Sequence, residues 1–435
     1  MMPNFDTDEI QEINYIFRIK DKIPKQWSIK KFDNFANERK EILQDKKNPL
    51  ILSITKHDGF VESLEYFKKQ VFSKNQSKYK LVQKGDFAYS PIHIDEGSVA
   101  LLEKYEEGYV SPLYTIFQVI DSEINKKFLH YLMKSQRFLY IFSAMGEGTL
   151  ERRRSVKVKD MKKLFFPFPS KIEQDRIVSL LENLELNILN STDIIQHRLD
   201  YKNGIREEIF SKGLNHKKPK KIDWYFNKQL SIPSDWDVLS GEEIIRDTQL
   251  GLNPDNNLES KDIALIKMGN LTFGNFDLDN IECISKNQDD LESYMLKNND
   301  FLFNTRNSEY LVGKSAVWKL NLEKAVFNNN LMRIWFHENI IPNPEFVSNY
   351  LSSHVGRRVL RRFSEKTVGV AAIYLHSLKE MKFLVPKPEE QKYIISILLN
   401  IDALIEKEKI HKLNLERLKK GLIQKLLTGQ IRVQV

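Results

Sequence analysis

Two stretches of this chain, residues 128–213 and 347–430, carry one pattern twice, and no other feature limits the fold so sharply. Tyr131-Leu132 returns as Tyr350-Leu351 and Pro167-Phe168-Pro169 as Pro386-Lys387-Pro388, both 219 residues further on. Glu173-Gln174 returns as Glu390-Gln391 at 217, with Ile177/Ile394, Ser179/Ser396, Leu181/Leu398, Asn183/Asn400 and Gly204/Gly421. Ile23-Pro24-Lys25-Gln26-Trp27 returns as Ile232-Pro233-Ser234-Asp235-Trp236 at 209. Offsets that drift slowly mark two copies of one unit with insertions and deletions in loops. A repeat of roughly 210–220 residues is far longer than the ~20–50 of a solenoid unit. It predicts two whole domains, each followed by its own long helix. A duplicated domain reads a duplicated ligand.

From Glu173 to Ser211 there is no proline and one glycine, Gly204. With Ile177 at heptad position d, the d series runs Ile177, Leu184, Ser191, Arg198, Ile205, and the a series Leu181, Ile188, Ile195, Lys202, Ile209. That spacing predicts one apolar seam along a continuous helix. From Glu390 to Thr428 the register repeats through Ile394, Leu398, Ile401, Ile405, Leu415, Leu422 and Leu426, interrupted by Glu408, Lys412 and Lys419. At 1.5 Å per residue each helix is ~60 Å long. Two amphipathic helices packed on their own domains are one reading. Helices so far above the usual ~11–12 residues fit better as an antiparallel pair, with the globular copies related by a pseudo-twofold axis. The Pro-x-Pro ahead of each helix separates it from the preceding strand, because proline disfavours helix in the residue before it.

The ~150 residues before each helix read as α+β. Asp86-Phe87-Ala88-Tyr89 and Asp300-Phe301-Leu302-Phe303 are short strands in corresponding places, followed by the matching runs Gly97–Ala100 and Gly313–Ala316. Helical segments are expected around 125–142 and 344–363. Basic residues gather in both copies. Arg152-Arg153-Arg154 and Lys157 precede the first Pro-x-Pro, and Arg357, Arg358, Arg361 and Arg362 have the i, i+4 spacing of one helix face. A solvated face is the plain alternative for either cluster, but two clusters in duplicated domains favour phosphate contact. Asn304-Thr305-Arg306-Asn307-Ser308 is a polar loop rich in side chains that read base edges in pairs, arginine on guanine and asparagine on adenine. A turn made of ordinary turn residues is its alternative. Lys217-Lys218-Pro219-Lys220-Lys221 is expected to be a linker.

Composition excludes several classes. A net charge of +8 and a pI near 9.0 favour a polyanionic partner. The single cysteine, Cys283, excludes internal disulfides and Cys-rich zinc sites, and no run approaches the ~18 apolar residues of a membrane span. The opening Met1-Met2-Pro3-Asn4-Phe5-Asp6 lacks the features of a signal peptide, so a reducing cytoplasm is expected. There is no G-x-x-x-x-G-K-S/T loop and no G-x-G-x-x-G after a strand. Asn253-Pro254-Asp255-Asn256 lacks the second proline and the aromatic residue with which amino-methyltransferases grip a flipped base. No metal-ligand spacing of histidines and no catalytic residue stands out, although a site of dispersed acids stays open.

Taken together, the Pro-x-Pro/Glu-Gln/Ile element opening both helices, the ending Lys419-Lys420-Gly421-Leu422-Ile423-Gln424-Lys425-Leu426-Leu427-Thr428-Gly429-Gln430-Ile431-Arg432-Val433, Ser111-Pro112-Leu113-Tyr114 and Phe303-Asn304-Thr305-Arg306-Asn307-Ser308 resemble the specificity subunit of type I restriction-modification enzymes. The resemblance covers nearly the whole chain. Ile172 and the ending Ser211-Lys212-Gly213 depart from the family pattern. It implies target-recognition domains at 1–166 and 214–385, with helical spacers at 167–213 and 386–435. It implies a non-catalytic subunit binding bipartite double-stranded DNA, one half-site per domain. The helices would dock two methyltransferase subunits, and restriction subunits would join them. S-adenosylmethionine, ATP and Mg²⁺ would belong to those partners, with no cofactor or metal on this chain. A methyltransferase or nuclease fused to recognition domains, or a helical scaffold, are the competing readings.

Overall fold

The computed structural model describes residues 10–16, 19–43, 48–145, 155–214, 218–225, 229–253, 263–284, 291–319, 324–367 and 369–433. It divides into two compact units, Met1–Thr192 with Ile410–Val435, and Asp193–Lys409. The division falls inside both long helices, so each unit holds a globular copy and part of each helix.

Each copy is built on the same four-stranded antiparallel sheet. In the first unit β1 (Ala36–Arg39), β2 (Asp86–Tyr89), β3 (Val99–Leu101) and β4 (Thr115–Val119) lie in the order β1-β4-β2-β3. In the second, β5 (Ile245–Leu250), β6 (Phe301–Asn304), β7 (Ser315–Val317) and β8 (Leu331–Phe336) lie in the order β5-β8-β6-β7. Both β2 and β6 are buried along their whole length, as central strands must be. A buried aspartate anchored to an arginine stands at the start of each, Asp86 as the first residue of β2 and Asp300 just before β6, but the arginine differs in origin. Arg39 on the edge strand β1 reaches Asp86 at 3.0 Å, whereas Arg333 on the inner strand β8 reaches Asp300 at 2.7 Å.

The helical segments expected at 125–142 and 344–363 are each two helices. They are α1 (Lys126–Met133) with α2 (Gln136–Met145), and α4 (Pro344–Ser352) with α5 (His354–Phe363), where α3 is the long helix Lys171–Lys212 between the copies. A buried serine makes the same break twice. Ser135 Oγ donates to Leu132 O (2.7 Å) and accepts from Phe138 N (3.3 Å), and Ser353 Oγ donates to Tyr350 O (2.6 Å) and accepts from Gly356 N (3.2 Å). A serine that satisfies the carbonyl behind it and the N–H ahead ends one helix and caps the next.

Helix α3 and its counterpart α6 (Pro388–Leu426) pack together. Along α3, positions 177, 181, 184, 188, 191, 195, 198, 202, 205 and 209 are buried or half-buried, and residues between them are mostly exposed. On α6 the same holds from Ile394 through Ile401, Ile405, Leu415 and Leu422 to Leu426. The ends of this seam enter the globular cores. Ile177, Leu181 and Leu426 belong to the first unit's core, and Ile209, Ile394 and Leu398 to the second's. Polar interruptions find partners on the facing helix. In the second unit Lys202 binds Asp402 at 2.6 Å and Arg198 donates to Leu404 O at 2.6 Å; in the first, Lys419 binds Glu185 at 2.7 Å. Lys202 and Lys419 match in the repeat, as do Asp402 and Glu185, so one ion pair is the duplicate of the other. Polar pairs inside an apolar seam cost stability when mispaired, and so specify register.

The helix ends dock by glycine. Gly213 (φ 72°) lies against Pro233, and Gly429 (φ 71°) against Pro24 and Trp27, which are the proline and tryptophan of the repeated Ile-Pro-x-x-Trp element. The basic run expected as a linker is partly a strand, Pro219–Asp223, paired with Gln229–Pro233. Among the described residues no helix is long and apolar enough to cross a membrane.

Candidate nucleic-acid interface

In the second unit the chain leaves β6 and continues as a two-residue strand, Arg306–Asn307, paired with Ala371–Ala372. The polar segment expected to be a loop is therefore partly held in a sheet, and strand pairing decides which side chains face out. Asn304 is fully buried, and its amide donates to Arg306 O (2.9 Å) and Asn330 O (3.1 Å) while its oxygen accepts from Asn307 Nδ2 (2.9 Å). Asn307 Oδ1 accepts from Ser308 N at 2.8 Å. Both asparagines thus brace the segment rather than presenting free amides. Arg306 is exposed, and its guanidinium has no ion-pair or hydrogen-bond partner among the described residues.

The four arginines of α5 do not act alike. Arg357 stacks on Phe273 at 4.4 Å and Arg362 on Tyr225 at 4.7 Å, while Arg358 and Arg361 are exposed without an ion-pair partner among the described residues. The helix runs on into Glu365–Thr367, whose partner strand Val370–Ala372 also carries Arg306–Asn307. The sheet therefore connects the helix arginines to Arg306. Beside it Tyr374 and His376 stack with centroids 5.9 Å apart.

In the first unit Arg152, Arg153 and Arg154 lie outside the described residues. Lys157 is exposed ahead of the short helix Val158–Met161. Sequence reading missed two features here that were legible. Between Glu65 and Asp86 there are six lysines, Lys68, Lys69, Lys74, Lys78, Lys80 and Lys84, and no carboxylate. This acid-free run borders a cavity of about 390 Å³ at the end of β2, reached by Val71, Phe72, Ser90, Ile92, Ser111 and Leu113. In the second copy, Asn328-Asn329-Asn330 went equally unremarked, and Asn329 donates to Asn253 at 3.2 Å. The remainder of the Asn253-Pro254-Asp255-Asn256 motif lies outside the described residues.

Away from these faces, burial pushes His130 down to about 4, with Lys134 adding repulsion and a bond to Val99 O opposing. Tyr131 beside it is pushed up by burial and by Glu185. Among the described residues no group of three or more His, Cys, Asp or Glu side chains is arranged to hold a metal.

A family model described as the type I restriction modification DNA specificity domain matches residues 233–417. A type I restriction enzyme MjaVIII specificity subunit of Methanocaldococcus jannaschii is 24% identical over 95% of this chain and 95% of its own. The crystal structure of an HsdS subunit from Thermoanaerobacter tengcongensis superposes with a TM-score of 0.50 at 16% identity, covering 94% of this chain and 98% of that one. A chain from work on complex assembly and conformational transition of the type I R-M system gives 0.56 at 15% identity, covering 94% and 100%.

Proposed function

We propose that this chain is a specificity subunit of a type I restriction-modification system, itself non-catalytic, and that each globular copy reads one half of a bipartite DNA target, a reading supported by the matching family model and by relatives that span nearly the whole chain. Such subunits carry no cofactor; S-adenosylmethionine and ATP are used by partner subunits. In the second copy Arg306 takes a base edge, and Arg358 and Arg361 take phosphates. Asn304 and Asn307 hold Arg306 in place. In the first copy Lys68, Lys69, Lys74 and Lys78, with Lys157, follow the backbone. The helix pair docks two methyltransferase subunits in the cytoplasm, and restriction subunits join that assembly. Its outer faces support this role, since Leu186, Leu189, Ile410 and Leu413 in the first unit and Tyr201 and Leu404 in the second are large apolar side chains left exposed.

The observation that carries the reading is a framework duplicated down to single hydrogen bonds while the exposed residues it supports are replaced. A scaffold protein has no need of such selective change. Binding of fluorescent duplexes across a salt series tests it. The slope of log K against log salt is expected to be steep, and to flatten by ~0.9 for each of Arg358→Ala and Arg361→Ala, on all sequences alike. Binding indifferent to salt and to sequence would sink the reading and favour the helical scaffold.

A further inference from the structure

Hydrogen bonding aligns the two copies at a resolution that sequence does not reach. Thr305 O accepts from Ile373 N at 2.9 Å, and Pro91 O accepts from Val156 N at 2.8 Å, each just after the equivalent strand β6 or β2. One residue earlier, Asn304 N donates to Lys314 O and Ser90 N to Ser98 O, before the matching strands β7 and β3. Ile92 therefore stands where Arg306 stands. By the pairing of Thr115 with Tyr89 and of Met332 with Phe303, Leu113 stands where Asn330 stands. Both aliphatic residues are open to solvent, Leu113 at 77% and Ile92 at 48%, as is Val71 at 47%. Around them Ser53, Ser73, Ser90 and Ser111 line the cavity, and no lysine or arginine does. Lys74, Lys78 and Lys80 are chain neighbours of the lining residues Ser73 and Tyr79, in the run that carries no acid.

Resting on the proposed DNA reading, we infer that the first copy recognises thymine through its 5-methyl group, with Ile92 and Leu113 as the apolar contacts and serine hydroxyls on the neighbouring edge. The major groove distinguishes an A·T pair by that methyl group, and apolar side chains are its partners, whereas guanine is read by arginine. A guanidinium at one equivalent position and an aliphatic chain at the other give the two half-sites different chemistry: thymine contacts in one, guanine in the other. Lysines next in the chain to a floor of apolar and serine side chains suit phosphates outside and a base edge within.

The test uses the full chain with its methyltransferase subunits and the target recovered from random duplexes. Deoxyuridine, which lacks the methyl group, replaces thymine in one half-site at a time. Affinity is expected to fall about 4-fold per contacted thymine in the half-site of the first copy, the equivalent of one buried methyl group. The other half-site should be unaffected at positions facing Arg306. In Leu113→Ala and Ile92→Ala the loss on uridine substitution should shrink toward none, while affinity for the thymine target drops by a similar factor. Both residues are exposed, so these variants fold. Sequence-selective binding that ignores uridine in both half-sites overturns the inference and leaves the DNA reading standing. Absence of any sequence-selective binding overturns both.

Discussion

Arg306 projects from the sheet because its neighbours are engaged: Asn304 beneath it is buried with every amide bond used, and Asn307 is tied to Asn304 and Ser308. Arg306→Ala removes the projecting group without disturbing that brace. On the cognate target it is expected to cost about 1–3 kcal/mol and to relax one base position only, read by selection from random duplexes. Asn304→Ala should instead loosen the whole segment and weaken every sequence. His130 makes a different demand on conditions. Its folded pKa is near 4 and that of a free histidine ~6.5, so the unfolded chain takes up a proton first as pH falls. The stability from keeping His130 neutral is complete above pH ~6.5 and is lost progressively down to about 4, up to about 3 kcal/mol in all. Denaturant melts of wild type and His130→Phe at pH 7 and pH 5 should show this slope in the wild type and much less of it in the variant.

Among elements, the junction of Pro-x-Pro with each long helix is held by one glutamine. Gln174 Nε2 donates to Pro169 O and Glu123 O, and Gln391 Nε2 to Pro386 O and Ile340 O. Only Gln174 also accepts, from Asn125 N at 2.8 Å; in the second copy Pro342, without an N–H, intervenes before the cap Asn343, and Gln391 Oε1 is buried unpartnered. Leucine at either position strands buried carbonyls, at about 1–3 kcal/mol for each group left unsatisfied. Gln174→Leu should therefore lower the melting temperature more than Gln391→Leu. The long helices were legible because their period persists for forty residues and occurs twice. The breaks at Ser135 and Ser353 were not, since a serine within a helical pattern reveals its cap only once a carbonyl lies within reach. Nor could the outward turn of Arg306 be read, because it follows from pairing with Ala371–Ala372, some 65 residues away. The lysine run and the three asparagines were open to inspection, and a count of acids per segment would have found the first.

For the whole molecule, the helix pair offers a direct test of half-site spacing. The compact units part after Thr192 and again after Lys409. Four helical residues inserted at both places lengthen the pair by ~6 Å and add ~40° of rotation, leaving the packing inside each unit untouched. One base pair advances ~3.4 Å and turns ~34°, so the phase calls for one extra base pair. Methylation mapping is expected to return the same half-sites with a spacer longer by one; an unchanged spacer would show that the helices do not set it. The seat of Gly429 on Pro24 and Trp27, with Arg432 gripping the buried Glu173 at 2.5 and 2.7 Å, has a further consequence on the ribosome. The second unit is one continuous run of chain and can fold as soon as it emerges. The first unit is translated before it yet waits for Leu426, Gly429 and Arg432 to complete its core and seal its edge. What is made first is finished last, and throughout that interval the aromatic core around Phe166 and Phe168 is incomplete and depends on chaperones or on speed to stay unaggregated.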